Sequence, residues 1–505
     1  MRVQSKLVLI AGIFLFGISQ SASAQIYGSN IFEFQYGNLP HTGNPDLTTS
    51  YDQLNLYYDS DNISVFGRVE QFLTPFQDRN YTDFTQKRIQ YQDDTFRIRI
   101  GNFYETLGRG LLLRSYDIPG SVFEGEFERT RYAFFRDLEG IAIDYNNDWA
   151  EIKVLRAEPL LNNLPPNFEP DSLRRPDLVE AIQGNFILSD KVNVGAAVMR
   201  THAIFNPDYN EYASLMLNID PIDNIQYFAE YAFNTDSDIF GFNDSDSYAL
   251  YTGVNFYLDD FGGSLEFKDY RNFRLGQGFN DPPSLIKEHT YPVLNRSTHV
   301  LETSDETGFQ GEVYYNFEGG HSITANVTTA TNDLFRKFEY REYFLEGYYQ
   351  VDDFLSLKSF FDYANDDFKD EKDRISVGFI VDKSFDYTWG TILDLQYQTF
   401  DRVLNPGTSK NYYASLAVSK ISDFTISAIF EATTDPELTD NPTTFPEVET
   451  DTRTWFGGNL SYKINSSNRV AVFAGKRRGG PACTSGICYE ILDFEGVELR
   501  FSTRF

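Results

Sequence analysis

Val497-Glu498-Leu499-Arg500-Phe501-Ser502-Thr503-Arg504-Phe505 ends the chain in unbroken alternation. In an extended strand Val497, Leu499, Phe501, Thr503 and Phe505 share one side, and Glu498, Arg500, Ser502 and Arg504 share the other. An apolar face running to a terminal aromatic, opposite a charged face, is the pattern of the closing strand of an outer-membrane β-barrel. The apolar side would meet lipid and the charged side a wet lumen. Single strands of this kind also occur in soluble proteins, so the remainder of the chain decides.

At the other end Arg2 and Lys6 precede an apolar run from Leu7 to Ile18, then Ala22-Ser23-Ala24. A basic start, a short apolar stretch and a small-residue triplet read as a secretory signal peptide over residues 1–24, cut after Ala24. The run is too short to cross a bilayer as a helix, and no later stretch reaches the roughly 18 apolar residues such a helix needs. Entry into a membrane would then require a closed barrel built from residues 25–505.

Aromatic residues make up 16% of the chain, with 46 Phe and 33 Tyr against 3 Met. That mixture suits strands with one aromatic, lipid-facing side, although a secreted soluble β-protein would share it. The formal charge of −31 disfavours nucleic acid as a partner and is expected to sit in solvated acidic loops and turns. Cys483 and Cys488 are the only cysteines. An isolated close pair beyond the inner membrane is expected to form a disulfide, whose small ring contributes about 2 kcal/mol by loop-closure entropy.

From Ile26 onward, alternating segments are joined by two kinds of connection that take turns. Short polar turns fall at Ser60-Asp61-Asn62, Asp93-Asp94, Asn146-Asn147-Asp148, Asp259-Asp260, Asp352-Asp353 and Asn465-Ser466-Ser467-Asn468, among others. Longer connections lie between them, the longest from Arg274 to Ser304, Pro159 to Pro176, Thr433 to Glu449 and Asn234 to Ser247. Eleven turns interleaved with twelve loops imply an all-β, transmembrane antiparallel β-barrel of about 24 strands (22–26), with short periplasmic turns and long extracellular loops. Charged residues at every second position, as in Phe96-Arg97-Ile98-Arg99-Ile100, require water on that side. Because strands begin at Ile26, a plug domain ahead of the barrel is not expected.

One stretch breaks the alternation. Around Leu107-Gly108-Arg109-Gly110-Leu111-Leu112-Leu113-Arg114, three consecutive leucines are too apolar for an exposed loop, and the glycines are unsuited to a spanning strand. A segment near residues 102–136 is therefore expected to fold inward and pack on the barrel wall. Glu124, Glu126 and Glu128 would share a face and need cations opposite. Arg97, Arg99, Arg109, Arg114, Arg129 and Arg131, with Glu105, complete an expected lumenal charge ladder. Such a ladder either pins the segment or forms a constriction with a transverse field. The Leu107–Arg114 run, with Phe123-Glu124-Gly125 and Arg131-Tyr132 after it, resembles an uncharacterised family of outer-membrane β-barrels of Bacteroidota-type bacteria, a family of unknown function. That resemblance implies location and fold and adds no catalytic residue.

Catalytic signatures are absent from the sequence: no metalloprotease His motif, nucleophile elbow, phosphate loop or dinucleotide fingerprint. No metal site or cofactor is expected, and the acidic groups Asp236-Ser237-Asp238, Asn243-Asp244-Ser245-Asp246 and Asp366-Asp367 with Asp370-Glu371 do not match a calcium loop. The reading is a non-enzymatic, porin-like channel for small hydrophilic solutes in the bacterial outer membrane, in contact with lipid and lipopolysaccharide. A structural or accessory subunit bound to other outer-membrane proteins is the first alternative. The second is an outer-membrane hydrolase, for which His289 and His299 in the longest loop would be tested first.

Overall fold

A computed structural model describes residues 25–38, 47–125, 129–203, 209–237, 246–273, 275–276, 278–280, 282–299, 305–333, 336–420, 423–439, 451–484 and 487–505. The expected signal peptide lies outside them. Twenty-four strands form one antiparallel sheet closed on itself. The first, Gln25–Asn38, pairs on one side with Leu47–Ser60 and on the other with the last, Phe494–Arg504. That seam runs in unbroken register from Ser29 opposite Arg504 to Asn38 opposite Glu495. The strand number equals the one read from the alternation of turns and loops.

Each strand forms because its sequence satisfies two solvents at once. In Glu371–Ser384, Ile375, Val377 and Phe379 are 40 to 45% exposed on the outside, while Arg374, Ser376 and Gly378, which alternate with them, are buried inside. The next strand back, Leu355–Asp366, turns Phe361 outward and Phe360, Asp362, Ala364 and Asp366 inward. Apolar outside and polar inside inverts the pattern of a soluble protein and matches a barrel set in hydrocarbon. Among the described residues no helix is long and apolar enough to cross a membrane.

The two ends of the barrel differ. Connections such as Ser60–Ile63 and Leu258–Phe261 are tight, with Asp61 and Asp259 at positive φ. Exposed Trp149, Tyr257, Phe317, Phe385, Tyr387 and Trp389 ring this end, as aromatic side chains do where hydrocarbon gives way to water. Both strand termini lie here, with Gly28 and Phe505 exchanging backbone hydrogen bonds of 2.8 and 3.0 Å. Connections at the opposite end are longer, and two hairpins leave the wall there: Tyr116–Glu124 with Arg131–Arg136, and Gly480–Thr484 with Ile487–Ile491. The second hairpin sets Cys483 opposite Cys488 in register. Their side chains lie outside the described residues.

The seam has a point with no room for a side chain. A Cβ on Gly37 would sit 2.2 Å from the Glu495 carbonyl oxygen, a backbone atom that cannot step aside. Gly37→Val is expected to destabilise closure by about 1–3 kcal/mol, the usual cost of overpacking. On a semi-native gel the folded band should convert to the unfolded one at a lower temperature than in the wild type. An unchanged conversion temperature would contradict the seam described.

Candidate functional site: a charged lumen entered by loops

The inside of the barrel takes in chain from the loop end. Leu107, Leu111, Leu112 and Leu113 are fully buried, packed with Phe103, Tyr270, Phe273 and Phe279. The wall beneath them carries small side chains, Ala142, Ala157, Ala181 and Ala197, and this leaves the depth that four leucines fill. Gly108 and Gly110, both at positive φ, turn the segment. A Cβ on Gly108 would meet the Glu230 carboxylate at 2.6 Å and displace it, and the positive φ itself favours glycine. The backbone N–H of Gly108 donates to Gln183 (2.8 Å), that of Arg109 donates to Glu230, and the Arg109 guanidinium lies over the Phe228 ring.

Six of the charged residues singled out in the sequence fall into two knots. In the first, Arg97 and Arg99 both reach Asp144 at 2.8 Å, and Arg99 and Lys153 hold Glu105 at 2.5 and 3.1 Å. In the second, Arg129 pairs with Glu124 at 2.9 Å, while Arg131 crosses to Glu33 at 3.0 Å and Glu498 at 3.8 Å, beside the closing seam. Arg109 belongs to neither knot. Arg114 donates its backbone N–H to the Phe279 carbonyl. Glu126 and Glu128 lie outside the described residues. In the closing strand Val497 and Phe505 are exposed, and Leu499 and Phe501 are half-buried.

A second inward segment, residues 282–299, contains the short helix Pro292–Asn295. Tyr291, Val293 and Leu294 pack on Phe344 and Phe360 of the wall. Around them sits a dense ionic network. The buried Arg374 guanidinium donates to Asp362 (3.2 Å), Glu371 (2.9 Å), Glu342 (2.9 Å) and the Ser297 carbonyl (2.9 Å). His289 approaches Glu342 at 3.1 Å, and His299 approaches Asp366 at 3.0 Å while stacking on Tyr340. Both loop histidines are therefore partners of wall carboxylates. The acidic group that ends this strand hairpin is engaged in the same way: Asp366 also accepts from the backbone of Phe368 and Lys369, and Asp370 from that of Val403 and Leu404. Asp238, Asn243, Asp244 and Ser245 lie outside the described residues.

Two cavities flank the inward chain. One, of about 490 Å³, lies toward the loop end between the second segment and the Gly480–Ile491 hairpin, with both signs of charge on its lining. There Arg402 grips Asp435 through two bonds of 2.7 Å, Arg296 pairs with Glu431 at 2.6 Å, and Arg478 sits over the Trp455 ring. The other, of about 570 Å³, lies toward the turn end beneath Arg109 and is lined by Asn146, Glu151, Lys153, Gln183 and Asn218. The inward pieces touch one another: Asn280 donates to the Leu111 carbonyl, Arg129 to that of Asp493, and Phe134 contacts Tyr489.

The pattern described as a family of unknown function (DUF6029) matches residues 207–425, which include the second inward segment and Arg374 but not the Leu107–Arg114 run. No curated protein matches the chain. Among solved structures, the P pilus usher PapC translocation pore is 8% identical over 95% of this chain and 99% of its own, with a TM-score of 0.46. OpdQ of Pseudomonas aeruginosa is 12% identical over 68% of this chain and 94% of its own, with a TM-score of 0.40. A BenF-like porin from Pseudomonas fluorescens Pf-5 is 11% identical over the same shares, also at 0.40.

Two outcomes test this interior. Arg374→Met leaves Glu342, Asp362 and Glu371 without their shared cation, a loss of about 3–5 kcal/mol for a buried pair broken on one side. Amide exchange over residues 282–299 should accelerate in that variant, and unchanged protection would contradict the network. The second outcome concerns pH. Burial alone would lower the His299 pKa, but Asp366 and Glu306 outweigh it and raise it from 6.5 to about 9. Its anchoring is thus fully present below pH 6.5 and lost as pH rises through about 9. Exchange over residues 282–299, corrected for the intrinsic rate, should rise across that window, and the rise should shrink in His299→Asn.

Proposed function

We propose that the chain is an integral protein of the bacterial outer membrane, exported by residues 1–24, whose lumen passes small hydrophilic solutes passively. The observation that carries this is the polarity of the closed wall: a belt of exposed Ile, Val, Leu and Phe outside, and charged and amide side chains inside. A barrel of 24 strands is too wide for its own inward side chains to fill, so the lumen belongs to whatever the loops leave open. Here the inward segments narrow it to chambers that present Arg, Lys, Asp and Glu together. Opposed charges across a narrow water path set up a transverse field, which favours small polar solutes and slows large or apolar ones. The outer belt and the acidic loops are the surfaces for lipid and for lipopolysaccharide with its bridging cations.

A second reading is a scaffold subunit of a larger outer-membrane assembly. It is favoured by the mutual contacts of the inward segments, such as Arg129 to the Asp493 carbonyl and Phe134 to Tyr489, which knit the loop end together.

Planar bilayers separate the two. Stable conductance steps are expected from the intact protein, and larger steps after deletion of the hairpin Gly480–Ile491, which borders the chamber at the loop end. Silent bilayers with insertion verified by protease protection would overturn the channel reading.

A further inference from the structure

The ionic network around Arg374 contains more negative charge than that arginine can balance. Glu342 and Asp362 stand on adjacent strands, with Glu342 opposite Ala364 and Phe344 opposite Asp362, so the two carboxylates are diagonal neighbours on the inner face. Glu371 adds a third carboxylate to the same guanidinium. Like charges at such spacing repel strongly in a dry site unless a cation lies between them. Arg374 takes only one oxygen from each of the first two, Glu342 Oε1 and Asp362 Oδ2. The other oxygens, Glu342 Oε2 and Asp362 Oδ1, are shielded from solvent and receive no hydrogen bond. Glu342 is 1% exposed and Asp362 is fully buried.

His289 completes the group from the loop side. Its Nε2 lies 3.1 Å from Glu342 Oε1, and one ligand atom from each of His289, Glu342 and Asp362 can be chosen so that all fall within 4.8 Å of one another. The 3.1 Å spacing of His289 Nε2 and Glu342 Oε1 is near the roughly 3.3 Å edge of a tetrahedron with metal–ligand bonds of about 2.0–2.1 Å, and a spacing as long as 4.8 Å must shorten for both atoms to reach one ion. One imidazole with two carboxylates is a donor set for a borderline ion of the zinc type, whereas calcium takes six or more oxygens.

We propose that His289, Glu342 and Asp362 bind a divalent transition-metal ion of the Zn²⁺ class, which pins the inward segment 282–299 to the barrel wall. Arg374 then acts outside the coordination sphere, orienting both carboxylates through hydrogen bonds of 2.9 and 3.2 Å. The competing arrangement is a proton shared between the two carboxylates, with a second proton on the histidine. It neutralises the same charge without an ion.

Cobalt distinguishes them. Full-length protein extracted in detergent, stripped with chelator and titrated with Co²⁺ should take up one ion per chain and show the visible ligand-field bands of a tetrahedral site. His289→Cys should retain the ion and add a thiolate-to-cobalt charge-transfer band in the near ultraviolet, a signal that a purely structural role for residue 289 cannot produce. Wild-type protein that binds no stoichiometric cobalt, or a His289→Cys variant that binds it without that band, would overturn the proposal. The wild-type titration needs no substituted chain to fold, and a missing ion there decides against the site by itself.

Discussion

In hydrocarbon no water is available to a backbone N–H or C=O, and the cost of leaving one unpaired is several kcal/mol. This constraint makes the joining of the first and last strands the feature on which the remaining structure depends. An open sheet of the same strands would carry two unpaired edges into lipid; the register from Ser29–Arg504 to Asn38–Glu495 removes both. The local chemistry of the seam follows from that demand. Gly37 lets two backbones approach where any side chain would strike a carbonyl, and the terminal residue exchanges hydrogen bonds with Gly28.

Closure on this scale creates a second problem, an interior too broad for the wall's own side chains. The chain answers it in two chemically distinct ways. Where the wall is lined by alanines, an apolar segment with four fully buried leucines fills the space. Where it is lined by Glu342, Asp362, Asp366 and Arg374, a segment bearing two histidines is held by polar contacts to those side chains. The first kind of contact is non-directional and costs little to form. The second is sensitive to protonation, and it tethers loop chain beside the charged chamber at the loop end.

The wall was legible in the sequence because its signals are local. A period of two, short Asp/Asn-rich turns and an aromatic at the end of an alternating run can each be read within about ten residues. The alternation of turns with loops therefore reproduced the strand number. The burial of the leucines has a similarly local cause, since Leu111-Leu112-Leu113 beside Gly108 and Gly110 has no stable place in water. Their neighbours were not readable. Arg97 and Arg99 meet Asp144, and Arg131 meets Glu33 and Glu498, partners that barrel closure brings together from far along the chain. The second inward segment carries a signal of the same kind: Leu285, Ile286, Tyr291, Val293 and Leu294 are apolar residues in a stretch expected to be a long extracellular loop, and all five are buried. The Arg374 network had none, because a lone arginine in an alternating strand looks like any other water-facing charge until its neighbours are known.

The inverted polarity of the wall is tested most directly by spin labels placed along one strand of the protein reconstituted in lipid. Labels at Ile375, Val377 and Phe379 should collide readily with oxygen dissolved in the hydrocarbon and poorly with a water-soluble nickel chelate, in each case more so than a label at Ser376 between them. Equal access of both relaxers along the strand, or preference for the chelate at the three apolar positions, would contradict a barrel that faces lipid with this surface.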